Sequence, residues 1–313
     1  MTTAPIILSA DDRYAQHLAV TIISILTNCQ HPTTLRFFIL DGGIADDNKE
    51  KIQHMVANYQ SEVTFITSIK QTYTEFPVNS ERMSIAAYFR ISIPELFDDN
   101  IKQALYLDCD LVVEDDILNL LHRKVAKDKA IGAVEDISRT IAYQRLQIPH
   151  HHYFNSGVLL LNLSYWRNHI ISAKIREFKL QNAHRMTTND QCAFNGILWS
   201  DWERLPLRWN QQSGIYRKRL RRQGATGYSP QEHWDAIKNP AIIHYVGHRK
   251  PWNPGCLHPL QHRYWKYLAM TPWAADSSPK RFSFHNIKSF FRKPHRHITA
   301  YFYRKISAIP DVK

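Results

Sequence analysis

The chain has 313 residues, 44% hydrophobic and 22% charged, enough for one large domain or two smaller ones and outside the disordered and fibrous classes. Its four cysteines, Cys29, Cys109, Cys192 and Cys256, are scattered without a C-x-x-C pair, which argues against a zinc site and suits a reducing compartment. The formal net charge is +12 and uneven: residues 279–313 hold nine Lys/Arg and one acid, Asp311, together with seven aromatics.

The opening stretch MTTAPIILSADDRY has no basic n-region, and its apolar run is too short for a leader or a membrane span, so the cytoplasm is the expected location. PIILSADD reads as a short buried strand ending at Asp11 and Asp12. A helix follows, with Leu18, Ile22, Ile25 and Leu26 on one face. TLRFFIL is a second strand, Asp46 stands where it would cap a helix running through Val56, and EVTFIT alternates like a third strand. Strand and helix alternating at these lengths predict βαβ units in a largely parallel sheet. AAYFRISIPELF reads as a helix leading into QALYLDCD. Next come AIGAVED, FNSGVLLLNL, a helix from Ser164 to about Lys179, another beginning near Asn189, and PAIIHYV as the last strand. YRKRLRRQG, residues 216–224, is a separate basic stretch expected at the surface.

Ligands of open α/β sheets bind beyond the carboxyl ends of the strands. Asp11, Asp12, Asp108, Asp110, Glu135, Asp136 and His244 all stand at such ends and are expected to converge. Asp108 and Asp110 follow the buried-looking run Ala104–Leu107 one residue apart, so in an extended or turning backbone their side chains lean to one side. Either they cap a turn or they hold a cation, since two adjacent carboxylates repel without one. Oxygen ligands favour Mg²⁺ or Mn²⁺, and an added imidazole tilts the choice to Mn²⁺. His244 is the natural third ligand, although a histidine in an apolar strand is more often a satisfied core residue.

SADDRYA, YLDCDLVV, YFNSGVLLLN, NDQCAFNGIL and IHYVGHRKPW stand in the order and spacing of the family 8 retaining glycosyltransferases, which the chain resembles over roughly residues 5–255. The likeness is strongest to bacterial enzymes that add galactose or glucose to lipooligosaccharide or lipopolysaccharide. The resemblance implies an α/β GT-A fold with a Rossmann-like central mixed sheet flanked by helices. It also implies a UDP-hexose donor, a lipid-linked oligosaccharide acceptor, and Mn²⁺ with Mg²⁺ as the alternative. Asp108, Asp110 and His244 match the family's metal ligands, Lys250 its diphosphate lysine, and Gly247 a glycine that lets backbone approach the phosphates. Ala10, Asp11 and Asp12 match residues contacting uracil and ribose, though a helix cap is the plain reading of both acids. Arg90 matches an arginine near sugar and phosphates; Asp136, Asn155, Asp190 and Gln191 match residues around the hexose. Alone, Arg90 reads as a helix surface charge, Asn155 as a turn residue and Asp190 as an N-cap.

Retention of configuration usually calls for a carboxylate nucleophile. Gln191 is an amide, so the resemblance implies front-side attack, with Gln191 stabilising positive charge on the ring and Asp190 orienting hydroxyls. Arg13 and Cys192 depart from the family's usual DDNY and DQD.

Residues 1–278 are expected to be the catalytic domain and residues 279–313 a basic, aromatic tail. Cations interleaved with rings suit the anionic inner face of a membrane, making the enzyme peripheral there, and no nucleic-acid partner is expected. Two other readings are a haloacid-dehalogenase-like phosphatase using Asp108 and Asp110, and a nucleic-acid binder built on the tail.

Overall fold

A computed structural model of the chain describes residues 5–67, 70–73, 76, 85–138, 140–186, 189–253, 256–275 and 301–306. A seven-stranded sheet forms the centre, in the order β3-β2-β1-β4-β7-β6-β8. Its strands are β1 (Ile6–Ala10), β2 (Arg36–Asp41), β3 (Glu62–Ile66), β4 (Gln103–Leu107), β6 (Ile131–Glu135), β7 (Phe154–Asn162) and β8 (Trp202–Arg204). A second sheet has three strands: β5 (Leu111–Val113), β10 (Ile242–His244) and β9 (Gln211–Gln212).

The sheet is mixed because one strand is reversed. β7 runs antiparallel to both β4 and β6, while the other pairings are parallel. β7 is also the longest strand and almost wholly buried, as expected of an apolar run covered on both faces. Ile6, Leu8 and Ala10 pack toward one layer with α1 (Ala15–Asn28) and α2 (Asp46–Ala57), and Ile7 packs toward the other. That other layer contains α3 (Ala86–Phe89), α6 (Leu163–Asn168), α7 (Ile171–Gln181) and α8 (Asn189–Leu198), while α4 (Leu118–Leu121) joins the first layer and α5 (Thr140–Leu146) packs with Cys192 of α8. No disulfide joins the four cysteines, all of them buried.

Three local expectations are corrected. The helix expected from Ser164 to Lys179 is broken between α6 and α7, where Ile170 takes a left-handed backbone with φ 48°. AAYFRISIPELF is helical only in α3; Arg90–Glu95 tightens to a 3₁₀ turn that accommodates Pro94. Ala45, not Asp46, stands at the N-cap of α2, and Asp12 supplies the capping oxygen from outside, accepting from Ala45 N at 2.8 Å and Asn48 Nδ2 at 2.8 Å.

The seam between the sheets positions the site. β4 ends at Leu107, the chain turns through Asp108–Asp110, and β5 then enters the second sheet. There it pairs antiparallel with β10, setting His244 opposite Leu111. Asp108 N donates to Gly157 O at 2.9 Å and Tyr245 N to Asp110 O at 3.0 Å, so both sheets hold the turn's backbone.

Candidate functional site

Asp108, Asp110 and His244 can each offer a ligand atom, all within 4.8 Å of one another. Each carboxylate has one oxygen held from outside and the other turned to the centre. Asp108 Oδ1 accepts from Tyr106 Oη at 3.0 Å and faces Arg90 Nη1 at 3.1 Å; its Oδ2 lies 3.9 Å from His244 Nε2. Asp110 Oδ2 accepts from Lys250 Nζ, while its Oδ1 is buried, has no hydrogen-bond donor and lies 3.1 Å from His244 Nε2. An orphaned carboxylate oxygen beside an imidazole nitrogen, with a second carboxylate in reach, fits a divalent cation with mixed O and N ligands.

The same neighbours set the charges. Burial pushes the Asp108 carboxyl up, partly opposed by Arg90 and reinforced by the charge of Asp110. Burial acts likewise on Asp110, but Lys250 and His244 outweigh it and hold that carboxyl well below the usual carboxylate range. Arg90, 5% exposed, is no surface charge. Its Nη1 donates to Ser156 O at 2.7 Å and its Nη2 lies 2.6 Å from Asp190 Oδ2, so one guanidinium ties Asp108 to Asp190. Asp190 opens α8 in sequence, yet its carboxylate turns to Arg90.

Behind the cluster, Gln191 Oε1 accepts from Asn155 Nδ2 at 3.1 Å and Ser156 N at 3.2 Å, and its Nε2 donates to Asp136 Oδ2 at 2.8 Å. Asp136, Asn155 and Gln191 are thus brought together. Gly247, φ 92°, holds a left-handed turn between β10 and Lys250. Trp252 pins that loop: it stacks on His17 at 3.6 Å, and His17 Nδ1 meets Tyr264 Oη at 2.6 Å.

Not all of the expected set converges. Asp12 is spent on α2, and Glu135 turns to His151 Nδ1 at 3.0 Å and Gly227 N at 2.8 Å. Asp11 is clasped by Arg13 at 2.8 Å but keeps Oδ1 buried without a partner; Ala10 is buried at the end of β1. A cavity of about 850 Å³ lined by Lys102, Gln103 and Asn162 opens at the opposite edge of the sheet and includes none of these residues.

Two residues that the sequence did not single out complete the arrangement. A Cβ on Gly157 would lie 2.2 Å from His244 Cε1 and 2.8 Å from Asp108 Oδ2, so the bare glycine makes room for the cluster. A glycine inside a nine-residue buried strand was the readable signal. Asn210, wholly buried, meets His244 Nδ1 at 2.9 Å, and nothing in LRWNQQ marks it.

The pattern of glycosyl transferase family 8 matches residues 5–256. The chain is 33% identical to general stress protein A of Bacillus subtilis over 88% of its own length and 96% of that protein's. It is 28% identical to lipopolysaccharide 1,2-glucosyltransferase of Escherichia coli, over 92% and 83% of the two chains. Its fold superposes on that of the galactosyltransferase LgtC, solved with donor and acceptor sugar analogues, with a TM-score of 0.72 at 27% identity, covering 88% of this chain and 98% of the other.

Proposed function

Because the chain belongs to glycosyl transferase family 8 and has the GT-A fold, we propose that it moves galactose or glucose from a UDP-hexose to the oligosaccharide of a lipooligosaccharide or lipopolysaccharide, with retention and with Mn²⁺. The observation that carries the reading is the cluster of Asp108, Asp110 and His244 at the carboxyl edge of the sheet, with one buried oxygen left unsatisfied. Those three residues would hold the cation. Bound there, it would neutralise charge building on the diphosphate as UDP departs.

The chain's own groups do the rest in this reading. Lys250, now on Asp110, would turn to the diphosphate, and Ala10 and Asp11 would meet the uridine, with Asp12, held on α2, reaching it only by giving up that contact. Arg90 holds Asp108 and Asp190 in register, so the nucleotide and sugar ends of the donor are fixed by one group. Asp190 orients sugar hydroxyls; Asp136 and Asn155 hold Gln191, whose amide dipole stabilises positive charge on the ring. An amide is a poor nucleophile, so attack is front-side: the acceptor oxygen bonds to C1, the C1–O bond to the diphosphate breaks, and the acceptor's proton passes to the departing phosphate. Residues 1–278 form the catalytic part of this reading and residues 279–313 the part that meets an anionic membrane surface at the inner face.

The test is to incubate the purified protein with UDP-galactose, UDP-glucose and other UDP-sugars, with Mn²⁺ or EDTA, and measure UDP release. Metal-dependent release from one of the two hexoses is expected, and NMR of the transfer product should show an α linkage. Full activity in EDTA, or a β product, would overturn it.

A further inference from the structure

Five buried or nearly buried side chains join His244 to Asp136 without a gap. His244 Nδ1 lies 2.9 Å from Asn210 Oδ1, and Asn210 Nδ2 2.8 Å from Asn155 Oδ1. Asn155 Nδ2 lies 3.1 Å from Gln191 Oε1, and Gln191 Nε2 2.8 Å from Asp136 Oδ2. Fixed donors settle which end of each amide is which. Ser156 N–H points at Gln191 Oε1, 3.2 Å away, and Gly157 N–H at Asn155 Oδ1, 3.1 Å away. A backbone N–H only donates, so both of those atoms are oxygens. Asn210 must then give its NH₂ to Asn155 and turn its oxygen to His244. An oxygen there can only accept, so Nδ1 of the neutral imidazole carries the proton. Nε2 is therefore the nitrogen that can give a lone pair to a cation, and it lies 3.1 Å from Asp110 Oδ1.

We propose that Asn210 is the positioning residue of this site. It locks His244 in the tautomer that can bind a cation and, through Asn155, holds the amide of Gln191 in place. The proposal rests on reading Asp108, Asp110 and His244 as cation ligands. Asn210 is 0% exposed, so it touches neither donor nor acceptor and acts only through its two neighbours. The turn that carries it, Leu207–Asn210, is fixed by buried Leu207 and Trp209 and by Ala241 N donating to Arg208 O at 2.9 Å. One rigid point therefore serves both the metal end and the sugar end. An outer partner that orients a ligating histidine typically contributes about 10- to 100-fold in metal affinity.

Two measurements test this. Long-range ¹H–¹⁵N correlation on the metal-free parent protein should show a proton on His244 Nδ1; a bare Nδ1 with the proton on Nε2 overturns the proposal without any variant. Mn²⁺ titration by electron paramagnetic resonance then compares Asn210→Leu and Asn210→Asp. The leucine variant removes both links and should lose Mn²⁺ affinity by about 10- to 100-fold. The aspartate variant still accepts from His244 but cannot donate to Asn155, so it should keep near-parent Mn²⁺ affinity while kcat falls at little-changed donor KM. Parent-like Mn²⁺ binding by Asn210→Leu, with the parent binding normally, sinks the role of Asn210 alone. No Mn²⁺ binding by the parent sinks the cation reading, and this proposal with it.

Discussion

At the residue scale, the two carboxylates of D-C-D are made unequal by what lies behind them. Arg90 and Tyr106 brace Asp108, and Lys250 braces Asp110, leaving one oxygen of each for the centre. Gln191 is braced too: both lone pairs of Oε1 and one amide hydrogen are engaged, so its amide is held in one orientation. A preorganised dipole of that kind acts on charge that develops during reaction rather than on the ground state. Gln191→Ala should therefore lower kcat by roughly a hundredfold with little change in donor KM. Steady-state kinetics with the preferred UDP-hexose decide it; a rise in KM matching the loss of kcat would make Gln191 a binding group instead.

Elements explain why the cluster can form at all. β7 passes directly beneath it, and only a glycine at 157 lets His244 and Asp108 approach so closely. Gly157→Ala must push His244 aside, since the added carbon meets a ring packed in a buried strand rather than a flexible end. Overpacking of this sort costs about 1–3 kcal/mol, and displacing a ligand of the proposed cation site would weaken metal binding as well. We expect a lower melting temperature and an Mn²⁺ affinity reduced at least tenfold; calorimetry and metal titration read the two effects separately, and an unchanged Mn²⁺ affinity would contradict the packing seen. The elements themselves were largely legible: the strands at Ile6–Ala10, Gln103–Leu107 and Phe154–Asn162 are carried by the apolar runs Ile6–Leu8, Ala104–Leu107 and Val158–Leu161. The break at Ile170 was not, because ISAKIREF continues the helical pattern and Ile170, a β-branched residue left 64% exposed, is not a residue type that signals a left-handed turn.

Across the whole molecule, several imidazoles are buried without charge. Burial lowers His17 and His258 to about 3 and His233 to about 4. Unfolded, each would take up a proton near pH 6.5, so between that value and the folded pKa the unfolded chain binds more protons. Their contribution is complete above pH 6.5 and is lost as pH falls, by up to about 1.4 kcal/mol per pH unit for each. Asp108, pushed up by burial, acts in the opposite sense. Denaturant midpoints should fall steadily from pH 7 to pH 4.5, and His17→Phe, which keeps a ring against Trp252, should flatten the slope by about one proton. A slope unchanged by that substitution would count against His17.

The tail bears on the molecule as a whole as well. Most of residues 279–313 lie outside the described residues, but residues 301–306 are helical, with Tyr303 2% exposed against Tyr216 at 5.0 Å and beneath the Arg221 guanidinium at 5.3 Å. Tyr301 and Phe302 stand 65% and 55% exposed beside Arg304 and Lys305. No helix among the described residues is long and apolar enough to cross a membrane. We predict binding to anionic vesicles, weakened by salt and by replacing the tail's cations with glutamine, since each contributes roughly 1 kcal/mol near such a surface. Substitution is a cleaner probe than truncation, which would remove the buried Tyr303. Protein that stays in the supernatant at low salt with anionic lipid would refute the membrane role.

What the sequence determined by itself was where seven of the strands lie along the chain, the family, and the set of polar residues near the strand ends. Periodicity and motif are local properties, and each was read from a stretch of a few residues. Tertiary structure alone decided which of those polar groups meet. It sent Asp12 to the end of α2 and Glu135 to His151, and it joined His244 to Asp110 across two sheets. It also gave Asn210 and Gly157 their importance, because neither carries any chemistry until strands far apart in the chain lie side by side.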